Sequence, residues 1–230
     1  MDLRSTVRAT IERYGMLPRG TRVLLALSGG KDSLTLLHLL AELREPLGVE
    51  LAAVHVETDT GCGAGIYERV LTGVCADLGV PAQRLRFPIL AEAGDRLTCF
   101  YCAMRRRAAL FALSVREGHD TLAFGHHLDD LAETLVMNAL FHGNLSTMTP
   151  RAAFFEGGLR IIRPLACVRE TETRAFVQAL GLGTAVCGCP YSTDNVRAAV
   201  KRWLTTANAA APGVHDRLLG AMATLAGTAP

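Results

Sequence analysis

Short β-like runs alternate with helical stretches along most of this chain, and that alternation predicts parallel βαβ units. Residues 22–27 (RVLLAL) read as a buried strand, and residues 32–44 carry apolar side chains at helical spacing, ended by Pro46 and Gly48. Further strands are expected at 50–56, 83–88, 121–124 and 159–165, with helices at 4–14, 67–78, 102–117, 129–141 and 169–180. The tail from about Asp194 reads as two helices split near Pro212-Gly213. The expected fold is α/β: a doubly wound, mostly parallel five-stranded sheet of Rossmann-like type with a C-terminal helical extension. The expected division is a leading helix over 1–20, a main domain over 21–192 and the extension over 193–230.

With 230 residues, half of them apolar, the chain can bury one sizeable core. A net charge of +2 is low for a dedicated nucleic-acid binder. Two basic groups are nevertheless local: the block Arg105-Arg106-Arg107, and Arg197, Lys201 and Arg202 at helical spacing. From charge alone both read as solvated helix faces. Lysine is scarce: of 24 basic residues only Lys31 and Lys201 are lysines. The longest uncharged stretch, 175–193, is broken by Gly181, Gly183, Gly188 and Pro190, which argues for a turn-rich loop and against a membrane span. No secretory signal is legible, and a cytoplasmic location is expected. In that setting seven cysteines point to a metal or a reactive thiol, not to a disulfide framework.

The first polar motif, Ser28-Gly29-Gly30-Lys31-Asp32-Ser33, falls where strand gives way to helix. Adjacent glycines let backbone amides approach a phosphate, and the following helix directs its positive end at the anion. Lys31 adds a full charge, Ser28 and Ser33 add hydroxyls, and Asp32 is a candidate Mg²⁺ ligand. A Walker loop would need four residues between its glycines and a Ser or Thr after the lysine. The segment is instead similar to the PP-loop of the N-type ATP pyrophosphatases, which implies an adenine nucleotide alpha-hydrolase-like fold. It also implies a turn that grips the β- and γ-phosphates of ATP as they leave together.

The second motif, Gly125-His126-His127-Leu128-Asp129-Asp130, follows the fourth expected strand, at the same sheet edge. Gly125 and His126 are candidates for nucleotide contact; Asp129 and Asp130 suit a helix N-terminus and are candidates for Mg²⁺ or proton handling. Two cysteine pairs remain: Cys99-Phe100-Tyr101-Cys102, expected just ahead of a helix, and Cys187-Gly188-Cys189-Pro190. Spacing alone is compatible with a zinc site, an iron–sulfur cluster or a redox pair. Cys62, Cys75 and Cys167 are isolated and receive no role.

Taken in order, these motifs resemble the tRNA 2-thiolation enzymes, most closely the tRNA 2-thiocytidine synthetase (TtcA-like) family. Carrying the resemblance are Ser28 to Ser33, Cys99 and Cys102 with Arg105 and Arg106, Gly125 to Asp130 with Thr134 and Asn138, Gly143, Met148 and Pro150, Ile162 to Ala166, Val168-Arg169-Glu170, and the late cysteines. The resemblance implies a 4Fe–4S cluster on three cysteines, with one iron open to sulfide. Cys99 and Cys102 match two ligands; Cys189-Pro190-Tyr191 fits one form of the third, with Cys187 as the rival. It further implies that ATP adenylates a pyrimidine C2 oxygen of tRNA, and that sulfide or a cysteine desulfurase's persulfide then replaces AMP. In that scheme Arg106 stabilises developing charge beside Lys31, and tRNA lies on the two basic faces. Related enzymes are often dimers, so a homodimer is carried as an expectation. The competing readings are a PP-loop ligase of the lysidine synthetase type with a structural zinc, a non-catalytic nucleotide- or RNA-binding module, and a desulfurising enzyme of small thiolated bases.

Overall fold

A computed structural model describes residues 2–61, 65–94, 97–184 and 196–225. Strand β1 (Arg22–Ala26) lies at the centre of the molecule, and its burial explains its position. Val23, Leu24 and Leu25 are all fully buried, with Leu24 in one apolar cluster and Val23 and Leu25 in the other. A strand covered on both faces reads as a continuous apolar run, and each such side chain contributes about 2 kcal/mol by leaving water.

β1 pairs in parallel with β2 (Glu50–Thr58) on one side and β4 (Thr121–Ala123) on the other. Outside these lie β3 (Ala82–Phe87) beside β2, and β6 (Leu159–Ile162) beside β4. The sheet has six strands, one more than expected. The added strand, β5 (Arg151–Phe154), pairs antiparallel with β6 at the edge. Its hairpin turn carries Phe155 and Glu156 at positive φ, followed by two glycines. β6 stops at Ile162, before Arg163-Pro164, since proline cannot donate to a ladder.

Nine α-helices are described. Helix α1 (Leu3–Arg13), α2 (Lys31–Leu47) and α7 (Glu170–Ala179) supply buried side chains to the larger cluster; α5 (Cys99–Glu117) supplies Leu110 and Leu113 to the other. α2 runs three residues past the expected end: Pro46 sits in its last turn, and Gly48 at φ +63° terminates it. The short α3 (Thr72–Asp77) continues from a π-helical turn at Tyr67–Leu71, and α4 (Leu90–Ala93) is a single turn.

The C-terminal pair, α8 (Val196–Ala210) and α9 (Val214–Leu225), packs on α6 (Leu128–His142) through Ala132, Val136, Val200 and Leu204. Strand order reverses between β1 and β4, so the crevice beyond their carboxyl ends is the natural ligand position. Among the described residues no helix is long and apolar enough to cross a membrane.

Candidate active site

The turn after β1 is braced by its own hydroxyls. Gly29 sits at φ +81°, a conformation that favours glycine. Gly30 caps α2 with extended backbone and no side-chain cap. The first N–H groups of a helix have no intrahelical partner, so this end is fitted to an anion. Ser28 Oγ accepts from the Gly30 amide at 3.3 Å and lies 3.0 Å from Ser33 Oγ, which donates to the Gly30 carbonyl at 2.9 Å.

The loop after β4 closes against this turn. A Cβ on Gly125 would lie 3.0 Å from the Asp32 carbonyl carbon and the Ser33 nitrogen, so only glycine lets β4 approach α2 this closely. His126 stacks on Phe124 and is half-buried, and its buried Nδ1 has no hydrogen-bond partner. Burial, with the positive charges of Arg163, Arg197 and Arg107, outweighs the carboxylate of Asp130 and pushes its imidazole down to about 4. His127, 2 % exposed, caps α6: its Nδ1 accepts from the Asp130 amide, and its own amide donates to Asp130 Oδ2 at 3.0 Å. The two aspartates diverge. Asp130 faces the crevice, whereas Asp129 Oδ2 accepts from the Glu170 amide at 2.7 Å and caps α7. Asp129 Oδ1 also lies 3.4 Å from His215 Nε2 and 3.6 Å from Arg169.

A cavity of about 420 Å³ opens between these parts. Ser28, Gly30, Asp32 and Ser33 form one wall; Gly125, His126 and Asp130 form another. Ala103, Arg106, Arg107 and Leu110 of α5 stand opposite, and Arg197 of α8 closes the rim. Arg106 is oriented by a 3.1 Å bond to the Val56 carbonyl.

A family model described as the PP-loop domain matches residues 3–205. The chain belongs to the PP-loop domain family. It is 34% identical over 218 residues to a tRNA-cytidine(32) 2-sulfurtransferase of Syntrophotalea carbinolica, covering 91% of this chain and 83% of that one. It is 36% identical over 226 residues to the protein of the same name from Anaeromyxobacter dehalogenans, covering 96% and 77%. Among solved structures, the U34-tRNA thiolase NcsA of Methanococcus maripaludis, with its [4Fe-4S] cluster, superposes at a TM-score of 0.79 with 27% identity, over 96% of this chain and 76% of that one.

In this PP-loop protein Lys31 is held by carboxylates beside the cavity. Its ammonium lies 2.8 Å from Asp32 and 3.1 Å from Glu170, and these partners outweigh burial to hold its pKa above the usual lysine value. Asp32 in turn accepts from Thr173 Oγ1 at 2.6 Å.

The cysteines divide by environment. Helix α5 begins at Cys99, earlier than expected, because Thr98 caps it by accepting from the Tyr101 amide at 3.1 Å. Cys99 and Cys102 therefore occupy one face of the first turn, three residues apart and half-buried. The N-terminal end of a helix favours negative charge. Cys75 is different: burial pushes its thiol up to about 11, which suits an inert core residue. Cys167 is half-buried. Cys62, Cys187 and Cys189 lie outside the described residues. Among the described residues no cluster of three or more His, Cys, Asp or Glu is placed to hold a metal ion. Two cysteines on one turn at a helix start are of the kind that would supply two ligands of an iron–sulfur cluster.

Motif reading missed Glu170 and Thr173 as neighbours of the loop and misread Arg197. Arg197, placed by charge alone on a solvated face, instead lines the cavity and binds Asp130 at 2.9 Å and the buried Glu133 at 3.0 Å. Arg105 pairs with Glu92. The signal for Glu170 was its place in the run Val168-Arg169-Glu170, but no spacing rule linked it to Lys31.

Proposed function

We propose that this protein is an ATP-dependent tRNA sulfurtransferase that adenylates a pyrimidine C2 oxygen and replaces it with sulfur, forming 2-thiocytidine. The observation that carries the reading is a single cavity walled on one side by Ser28, Gly30, Asp32 and Ser33 of the PP-loop turn and on the other by Ala103, Arg106, Arg107 and Leu110 of α5, the helix whose first turn carries Cys99 and Cys102. The likeness to tRNA-cytidine(32) 2-sulfurtransferases and to a tRNA thiolase supports it.

The chain's own residues divide the work. The turn at Ser28 to Gly30 and the positive end of α2 bind the β- and γ-phosphates, with Lys31 adding charge. Asp32 and Asp130 would share Mg²⁺ with those phosphates, since that ion is commonly held by one or two carboxylates plus phosphate. The base oxygen attacks the α-phosphorus and pyrophosphate leaves; sulfur then adds at C2 and AMP departs with the oxygen. Arg106, Arg107 and Arg197 stabilise the negative charge that develops on the α-phosphate. His126, neutral at working pH, adds no cation to that wall. A 4Fe–4S cluster held by Cys99, Cys102 and Cys189, or Cys187, would supply an iron open to sulfide. Sulfide or a desulfurase-borne persulfide is the proposed donor. Arg202 and the 56 % exposed Trp203 give α8 an outer face suited to tRNA, with salt-sensitive binding.

Mass spectrometry of tRNA nucleosides from cells with and without the protein tests the reading. Loss of 2-thiocytidine in the deletion is the expected result; an unchanged thionucleoside profile would overturn it. Metal analysis after anaerobic purification separates the rival: iron and sulfide are expected, and colourless, zinc-loaded protein would favour the ligase reading. Cys99→Ala is expected to lose iron and thiolation together, and full thiolation in that variant would remove the cluster's role.

A further inference from the structure

The chain uses arginine almost everywhere, and both of its lysines meet at one carboxylate. Lys31 Nζ lies 3.1 Å from Glu170 Oε1, and Lys201 Nζ lies 2.8 Å from Glu170 Oε2. Arg174 also reaches Oε1 at 3.1 Å. An arginine is a rigid fork, whereas a lysine is a compact charge on a flexible stem that can change partners. Glu170 is well placed to be such a partner. Its amide is bound to Asp129, its side chain is only 16% exposed, and Thr173, almost one turn on, grips Asp32. The first turn of α7 thus holds both residues that follow the glycines of the PP-loop. Burial disfavours its charge, but the hydrogen bonds and charges of Lys201 and Lys31 outweigh that and hold its carboxyl at about 2, so it is ionised throughout the working range.

We infer that Glu170 is the positioning residue of Lys31, competing with phosphate for its ammonium, and that Lys201 of the C-terminal helix sets how firmly it does so. The inference rests on the proposed function, in that the anion at the turn is the triphosphate of ATP. An ammonium has three donors, and two of those of Lys31 point at Asp32 and Glu170. Phosphate takes the third or displaces one of the others. Lys201 draws on the same carboxylate and so weakens its hold. The two positions therefore act in opposite directions. Removing the charge of Glu170 frees Lys31 and leaves an excess of positive charge beside the phosphates. Removing Lys201 leaves Glu170 to Lys31 and the exposed Arg174, and so strengthens its hold on Lys31. The C-terminal extension is on this account a working part of the nucleotide site.

The test is equilibrium titration of the full chain with Mg²⁺ and α,β-methylene-ATP, which needs neither tRNA nor a loaded cluster. Glu170→Gln is expected to tighten binding about threefold to tenfold and Lys201→Met to loosen it by a similar factor, the range set by a partly screened ion pair. The double variant should bind like Glu170→Gln, within about twofold, because Glu170 is the nearer carboxylate of Lys201, at 2.8 Å against 4.0 Å for Glu133. A merely structural role would weaken binding in both single variants, and that result overturns the inference. Wild-type protein that binds the analogue with variants indistinguishable from it overturns the inference alone. Wild-type protein that binds no analogue overturns the functional reading and the inference with it. Lys201 is 47% exposed, so its substitution removes no buried group, and thermal melting verifies folding of each variant.

Discussion

At the scale of single residues, burial has made His126 a group that resists protonation. Its folded pKa of about 4 lies below the ordinary 6.5, so between those values the unfolded chain takes up the proton first. The stability that neutral His126 contributes is complete above pH 6.5 and is lost as pH falls through 4. Glu170 has the same sign over a lower window, from the ordinary 4.5 down to about 2. Acid destabilisation should therefore begin near pH 6.5, before most carboxylates titrate. Melting temperature against pH checks this, and His126→Gln should shrink the upper limb, which His38, His119 and His215 share because burial lowers each of them too, while leaving the lower one. Gly125 is the second such residue. Gly125→Ala would force a methyl against the backbone of Asp32 and Ser33, at about 1–3 kcal/mol of overpacking. Displacement of the PP-loop should also weaken ATP binding at least about tenfold, an outcome read by calorimetry. By its motif alone Gly125 is a candidate nucleotide contact. Its packing role was hidden because the clashing atoms belong to another element.

At the scale of elements, helix ends decide where the chemistry sits. Thr98 moves the start of α5 back to Cys99 and so brings both thiols onto one turn. The apolar spacing that predicted a helix from 102 could not show this, because a cap is a single polar residue without periodicity. The adjacent aspartates illustrate the same point. Asp129 caps α7 and Asp130 faces the cavity, although nothing in the pair of letters distinguishes them. Asp129→Ala should cost about 1–2 kcal/mol through the lost cap, seen as a lower midpoint in urea. Asp130→Asn retains an acceptor for the His127 amide but loses the partly exposed ion pair with Arg197, so its stability should fall by no more than about 1 kcal/mol. Its formation of AMP should fall by about 100-fold. If the two variants exchange these phenotypes, the division of labour is wrong.

At the scale of the molecule, the sheet carries the PP-loop and the C-terminal helices complete its surroundings. Leu204, 1% exposed, packs α8 onto α6 beside Val200, Ala132 and Val136. Leu204→Ala should cost about 2–4 kcal/mol by cavity formation. It should also slow ATP cleavage, because Arg197 rides on the same helix and reaches Asp130 from it. A variant that lowers the melting temperature but leaves ATP cleavage intact would show that α8 is only a prop.

The amino-acid order by itself determined the alternation of strand and helix, the glycine turn at the end of β1 and the cysteine pair at residues 99 and 102. Each of these depends on residues near one another in the chain, where apolar period and backbone freedom are decisive. The edge strand β5 escaped because four residues of a half-exposed hairpin carry too short a pattern. Only the tertiary structure decided that Thr173 should hold Asp32 across 141 positions, that Arg197 should reach Asp130 across 67, and that both lysines should share Glu170. Such meetings follow from strand order and helix packing, and a charged side chain's partner is set by what the folded chain brings within a few ångströms of it.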